Sequence, residues 1–247
     1  MIFAYRSFLI THFPASRFRL ELKNSAAAEL TRKVAGTAGT LERLFGSGCL
    51  HPRDGLDELM LTILSQNTND NNRDRAYRQL RERLPDWRAV MEATPLQIEE
   101  AIRPAGLSRI KAGRMQAVLR WVEAAFGGLS LKPLGELSDD DAIDLLRTQK
   151  GIGIKTAAVL MAFAFERDLC PVDTHIHRIA RRLGWVPERA SAEATFRALK
   201  PHIPAGKART FHLNLLKFGR TRCTARNPQC KGCPLWNDCS WDGKIDG

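Results

Sequence analysis

The chain has 247 residues, of which 44% are hydrophobic and 26% charged, so its composition is that of a globular protein with one or two domains. Its formal net charge of +11 indicates an anionic polymer as partner. No apolar run approaches the roughly 18 residues of a membrane-spanning helix, which disfavours a membrane protein.

The first half of the sequence predicts a series of helices. Residues 1–25 are interpreted as an N-terminal extension and not as a signal peptide, because Arg6 and His12 interrupt the apolar start. A helix is predicted over 26–45 and a loop over 46–55. The next helix carries an apolar stripe at helical spacing and ends in an amide-rich run at 65–70. Amphipathic helices are predicted at 71–84, 86–92 and 95–103.

The second half continues the helical pattern. After a break at 103–108, a long helix is predicted to end at Gly127-Gly128 and to face inward with Ile110, Met115, Val118, Leu119, Val122 and Phe126. Asp139 or Asp140 is predicted to cap the following helix. A helix from Asp173 has the inner stripe Ile176, Ile179, Ala180 and Leu183, with Arg178, Arg181 and Arg182 largely off it. Helices at 190–200 and 206–218 follow. Since little of the sequence alternates with period two, we predict an all-α fold.

A glycine hairpin lies before the most apolar of these helices. Gly151-Ile152-Gly153 permits a tight turn with positive φ, and the helix that follows opens with unpaired N–H groups that can bind a phosphate. Lys155 lies in the first turn of that helix, where a lysine is either solvated or has its pKa lowered.

Four of the six cysteines lie close together near the C-terminus. Cys223, Cys230, Cys233 and Cys239 have the spacing C-x6-C-x2-C-x5-C, whereas Cys49 and Cys170 are isolated. Such crowding favours a metal site over disulfides. On chemistry alone, four thiolates can bind zinc or a [4Fe–4S] cluster.

The chain resembles the endonuclease III family of DNA glycosylases in three features. These are residues 150–157 (Lys-Gly-Ile-Gly-Ile-Lys-Thr-Ala), residues 172–175 (Val-Asp-Thr-His) and the cysteine spacing. Lys150 departs from the proline that the family usually has there. The resemblance covers residues 26–240 and implies a two-lobed helix-hairpin-helix fold. The helical barrel would comprise 50–160, and the cluster domain would comprise 26–49 plus 161–247, with a substrate cleft between them.

The resemblance also implies roles for individual residues. Lys155 would attack the sugar and form a Schiff base, and Asp173 would assist by taking the amine's proton or by stabilising positive charge on the sugar. The four cysteines would bind a [4Fe–4S] cluster. The implied DNA-binding residues are Gln66, Leu107, Lys150, Gly151, Gly153, Ile154, Thr156 and Arg226. Among them, Gln66 and Leu107 would fill the space left by an extruded nucleotide.

The function implied is that of a bifunctional DNA glycosylase and AP lyase that excises oxidised pyrimidines in base excision repair. The expected partner is double-stranded DNA with damaged bases or abasic sites, bound by a monomer that is cytoplasmic and associated with the nucleoid, with no membrane partner. Three alternatives remain at this point. The chain could be a non-catalytic binder of DNA structure, a mismatch-specific glycosylase of the same superfamily, or a zinc-type transcription regulator.

Overall fold

A computed structural model describes residues 15–48 and 51–244, with side chains described from residue 24 onward. Most of the predicted N-terminal extension lies outside the described residues, as does Cys49. The first helix begins at Ala15, eleven residues before the predicted start at residue 26.

Helices make up the regular structure of the described residues, and no strand occurs there, so the all-α prediction is confirmed. Short 3₁₀ turns occur at Arg103–Ala105, Lys132–Glu136 and Lys200–His202. The α-helices are α1 (Ala15–Phe45), α2 (Gly55–Ser65), α3 (Asp70–Arg83), α4 (Trp87–Glu92), α5 (Pro95–Ala101), α6 (Ser108–Phe126), α7 (Asp139–Arg147), α8 (Ile154–Phe163), α9 (Thr174–Arg182), α10 (Ala192–Leu199) and α11 (Ala208–Thr221). No helix within the described ranges is long and apolar enough to cross a membrane.

Side-chain caps explain where many of these helices begin. The caps of α2 to α5 are Asp54, Asn69, Asp86 and Thr94. The prediction that Asp139 or Asp140 caps α7 is wrong, because the Ser138 hydroxyl accepts the hydrogen bond from Asp141 N at 3.2 Å. The aspartates instead lie in the first turn, where a carboxylate interacts favourably with the positive end of the helix.

The buried stripe of α6 starts one residue later than predicted. Ile110 is 51% exposed, so the prediction that it faces inward is wrong. Lys111 takes the core-facing position, with 1% exposure, and aligns with Met115 and Val118 at the following turns. The Gly127 end of the helix is confirmed, at φ 73°.

The apolar stripe of α9 is confirmed, but one of its arginines is not at the surface. Arg182 is only 8% exposed, which contradicts the prediction that it lies off the inner stripe. Its guanidinium stacks over Trp241 at 3.9 Å and donates to Thr224 O at 2.8 Å. Planar stacking and paired donors allow this charge to be buried.

The helices pack in two groups around a continuous apolar core. Helices α2 to α8 pack mainly on one another, whereas α1 packs on α11, and α9 packs on α10 and α11. Gly219 lets α11 approach α9, since a Cβ there would lie 2.8 Å from the Cβ of His175. An ion pair of 2.7 Å between Arg220 on α11 and Asp70 on α3 joins the two groups at their surface.

Candidate functional site

The glycine hairpin is a tight turn anchored in the core. Gly151 adopts φ +92°, a conformation that favours glycine. Ile152 N donates to Gln149 O at 3.0 Å, and the Ile152 side chain is buried. Gly153 is extended, with φ −93°, so one glycine of the pair supplies the left-handed conformation. The buried isoleucine fixes the direction in which the turn faces.

The start of α8 presents backbone donors beside this turn. The first helical hydrogen bond joins Ala157 N to Gly153 O at 3.0 Å, so the N–H groups of residues 154–156 precede the helical ladder. The Lys150 side chain is exposed, while that of Thr156 is buried and has only its main chain to offer a ligand. An anion would meet backbone donors, the positive end of α8 and one exposed lysine here.

Lys155 is partly covered by neighbouring helices. Burial lowers the pKa of its ammonium group below the usual range, and the positive charges of Arg220 and Arg73 lower it further. The negative charges of Asp173 and Glu58 act in the opposite direction. The amine is therefore easier to deprotonate than an ordinary surface lysine.

Asp173 caps α9 and faces the same region as Lys155. Its Oδ1 accepts the hydrogen bond from Ile176 N at 2.8 Å, which fixes the carboxylate. Its charge is the largest of the electrostatic influences that raise the pKa of Lys155. A carboxylate and an amine of lowered pKa are thus brought together by the starts of α9 and α8.

His212 is buried near this pair. Burial lowers its pKa to about 4, and Nδ1 donates to Pro171 O at 2.7 Å. The charges of Asp173 and Lys155 also act on it, in opposite directions. The imidazole is therefore neutral at physiological pH. No motif in the sequence singles out this histidine.

The α9 histidines have structural contacts. His177 Nε2 donates to Ala190 O at 2.8 Å, and His175 Nδ1 lies 3.2 Å from an Arg178 nitrogen. Both contacts are with other groups of the protein, as is typical of histidines with structural roles.

A cluster of ion pairs lies at the surface near Lys155. Asp70 binds Arg220 through one carboxylate oxygen at 2.7 Å and Arg73 through the other at 3.1 Å. Both arginines are close enough for their charges to lower the pKa of Lys155. Sequence reasoning missed this cluster because residues 70 and 220 are far apart in the chain.

Gln66 is held between α6 and the hairpin. Its Nε2 donates to Gly151 O at 3.2 Å, and its Oε1 accepts from Arg114 Nη1 at 2.8 Å. Gln66 follows the last residue of α2, and Asn67 next to it has φ 52°. The two hydrogen bonds orient the amide at the edge of the hairpin.

Leu107 is an exposed apolar residue in a left-handed conformation. Its φ is 49°, it is 51% exposed, and it directly precedes α6. Ile110, three residues later, is equally exposed, so two large apolar side chains close in sequence are exposed to solvent. Exposed apolar side chains of this size are suited to insertion between stacked bases.

The four clustered cysteines line one small cavity. Its other walls include the apolar side chains of Ile179, Leu183, Phe218 and Leu235. The described residues contain no group of three His, Cys, Asp or Glu side chains drawn together around a single metal ion. All four cysteines line this cavity, and four thiolates are a donor set that can bind a [4Fe–4S] cluster.

Positive charges surround this cavity. Arg182 donates to the Sγ of Cys223 at 3.3 Å, and the side chains of Arg222 and Lys244 also line the walls. Basic groups compensate for the charge of thiolates, so the donor set and its surroundings fit an iron–sulfur cluster. Arg226 lies exposed in the loop between Cys223 and Cys230.

The chain matches a known protein family and is similar in sequence to known proteins. Residues 60–204 match the family described as HhH-GPD superfamily base excision DNA repair protein. The chain is 33% identical to endonuclease III of Thermotoga maritima, over 74% of this chain and 81% of the relative. It is 32% identical to endonuclease III of Bacillus subtilis, over 62% of this chain and 67% of the relative.

A solved structure shares the fold. The structure is a trapped covalent intermediate of an endonuclease III with DNA, described as an estranged-adenine complex. It superposes with a TM-score of 0.71 and 27% identity, covering 82% of this chain and 92% of the other.

Proposed function

Because this chain belongs to the endonuclease III family of HhH-GPD base excision repair proteins and is a DNA glycosylase/AP lyase, we propose that it excises oxidised pyrimidines from duplex DNA through Lys155 and Asp173. The observation that carries the proposal is the pairing of these two groups. The helix start at residue 154 and the cap at Asp173 bring an amine of lowered pKa near a fixed carboxylate.

Lys155 is the proposed nucleophile. Its neutral amine attacks the anomeric carbon, the glycosidic bond breaks, and the base leaves with its electron pair and gains a proton. Opening of the sugar ring gives a Schiff base at that carbon. This cation acidifies the neighbouring sugar proton, whose removal expels the 3′ phosphate by β-elimination. A lysine with an ordinary pKa would be almost fully protonated at pH 7 and could not begin this sequence.

Asp173 is proposed to stabilise the positive charge that develops on the sugar as the base departs. A carboxylate acts on that charge most strongly in a site from which water is excluded. The hydrogen bond from Ile176 N holds it in place before the reaction. Capping and catalysis are compatible here, since the cap uses one of the two carboxylate oxygens.

DNA is proposed to bind along the face that carries the hairpin. The N–H groups of residues 154–156 and the exposed Lys150 would bind a backbone phosphate, with Gly151 and Gly153 allowing close approach. Gln66 and the exposed Leu107 would enter the duplex where the damaged nucleotide has left the stack.

A [4Fe–4S] cluster is proposed at Cys223, Cys230, Cys233 and Cys239. When bound, it would connect the C-terminal loop to α9 and α11 and act as a structural clip. The basic loop that includes Arg226 would then be held in one conformation, in which it can contact phosphate. The cavity lined by all four thiols supports this proposal.

Borohydride trapping across a panel of duplexes tests the proposal. Oligonucleotides would carry an oxidised pyrimidine, a mismatched base, 8-oxoguanine or an abasic site. We expect covalent complexes with the oxidised pyrimidine and the abasic site, and none with Lys155→Gln. Lys150→Gln serves as the matched variant, because it removes a nearby exposed lysine. It should weaken binding yet still trap at saturating protein. Trapping by Lys155→Gln would contradict the proposed nucleophile.

A further inference from the structure

Lys111 joins two segments that are proposed to enter the DNA. Its Nζ donates to Leu64 O at 2.7 Å and to Ala105 O at 2.8 Å. Leu64 lies in the last turn of α2, two residues before Gln66. Ala105 lies two residues before Leu107. One side chain therefore sets the distance between the two loops.

The buried position of Lys111 requires a side chain that donates hydrogen bonds. The side chain is 1% exposed, and both of its hydrogen-bond acceptors lie at the ends of helical turns, where the carbonyl groups carry partial negative charge. Burial and the nearby Arg114 lower the pKa of Lys111 to about 8, so it keeps its three N–H donors at pH 7. An apolar residue there would leave two buried carbonyl groups without this donor.

Arg114 extends the connection to the hairpin. It lies three residues after Lys111 on the same helix, and its Nη1 donates to Gln66 Oε1 at 2.8 Å. The guanidinium also lies against Gly151, where a Cβ would come within 2.7 Å of the Arg114 Nε. Gln66 Nε2 donates to Gly151 O, which closes the connection between the three segments.

We propose that Lys111 and Arg114 are positioning residues that hold the Gln66 loop, the Leu107 loop and the hairpin in one fixed arrangement. Phosphate binding at the hairpin and filling of the emptied stack then occur together, which favours extrusion of the damaged nucleotide. This proposal rests on the proposed function, because it assigns the joined segments to DNA. It concerns extrusion and not the chemistry at Lys155.

The test separates extrusion from chemistry. Lys111→Met and Arg114→Met would be compared with the wild type and with Arg120→Met, a matched change at an exposed position further along α6. One assay measures single-turnover excision of an oxidised pyrimidine from a duplex. The other measures strand cleavage at an abasic site in a single-stranded oligonucleotide, which requires neither extrusion nor stack filling.

We expect duplex excision to fall roughly 10²-fold in Lys111→Met, because misplacement of about 1 Å has effects of that size, and to fall less in the half-buried Arg114→Met. Cleavage of the single-stranded abasic site should stay near the wild-type rate in both variants. Lys111→Gln, which keeps two N–H donors, should recover part of the lost excision. Arg120→Met should match the wild type in both assays.

Several results would overturn the proposal. Equal losses in the two assays would show a general structural role, and wild-type duplex excision in both variants would show that the connection does not matter. If Lys111→Met fails to fold, Arg114→Met decides the question alone. A wild-type protein that cleaves neither substrate would instead refute the proposed function, so the two failures are distinguishable.

Discussion

Replacing Asp173 by asparagine separates the two roles of this residue. The carboxylate caps α9 through its hydrogen bond with Ile176 N at 2.8 Å, and its charge acts on Lys155. Asparagine caps helices about as well as aspartate, so Asp173→Asn keeps the cap and removes the charge. Asp173→Ala removes both.

The loss of the cap and the loss of the charge are expected to differ in magnitude. Loss of the cap in Asp173→Ala costs about 1 kcal/mol, which lowers the Tm of a chain of this size by about 2–4 °C. Loss of a charge that stabilises the transition state lowers base excision by roughly 10²- to 10³-fold. The carboxylate raises the pKa of Lys155, so its removal lowers that pKa and leaves the amine more often neutral. Protonation of Lys155 therefore cannot explain the lost activity.

Single-turnover excision and thermal unfolding would be measured on both variants. We expect both to lose excision by a similar factor, while the Tm of Asp173→Asn stays above that of Asp173→Ala. Borohydride trapping on an abasic site made in advance should fall less than excision, since the base has already left. An Asp173→Asn protein that excises at the wild-type rate would refute the assigned role. A Tm as low as that of Asp173→Ala, with excision and DNA binding reduced equally, would indicate capping alone.

Three further predictions concern charge and the cluster. The excision rate should rise as the pH passes through the lowered pKa of Lys155 and level off above it. Arg220→Met removes a positive charge that lowers this pKa, so it should move the rise to higher pH. A pH–rate profile unchanged by Arg220→Met would contradict this prediction. Burial lowers the pKa of His212 to about 4, so the unfolded chain takes up a proton there at higher pH than the folded protein does. The free energy of unfolding should therefore decrease as the pH falls from about 6.5 towards 4, by up to about 1.4 kcal/mol per pH unit. In urea unfolding, His212→Gln should show a weaker dependence on acid pH. Cys230→Ser should lose the bound iron and the visible absorbance of the purified protein, and a colourless wild-type protein with bound zinc would refute the cluster.

Helical periodicity predicted most of the fold, and its errors have identifiable physical causes. The inner stripe of α6 was placed one residue early because Ile110 is apolar and Lys111 is charged. In the structure the lysine is buried because two carbonyl groups at the ends of helical turns accept its hydrogen bonds. Its spacing from Met115 and Val118 is a sequence signal of burial, but only the structure supplies the acceptors.

Arg182 was misplaced for the same reason. Its charge suggested an exposed position, yet stacking on Trp241 and hydrogen bonds to the cysteine loop stabilise it in the interior. The cap of α7 was missed for a different reason, since Ser138 and Asp139 are both good capping residues and the sequence does not distinguish them. Such choices depend on backbone geometry.

The candidate site could be predicted where its residues lie in a local motif. Lys155, the hairpin and Asp173 belong to one stretch of sequence, so their proximity follows from two helices that begin near each other. Arg220 and His212 come from α11, and Arg114 comes from α6. Their contacts with the site depend on how the helices pack, which periodicity does not specify.

The most direct measurement locates the covalent bond. The wild-type protein would be trapped with borohydride on an oxidised-pyrimidine duplex, digested, and analysed by mass spectrometry. We predict that the reduced sugar adduct lies on the side chain of Lys155. An adduct on another amine, such as Lys150, or base excision with no adduct at all, would contradict the account.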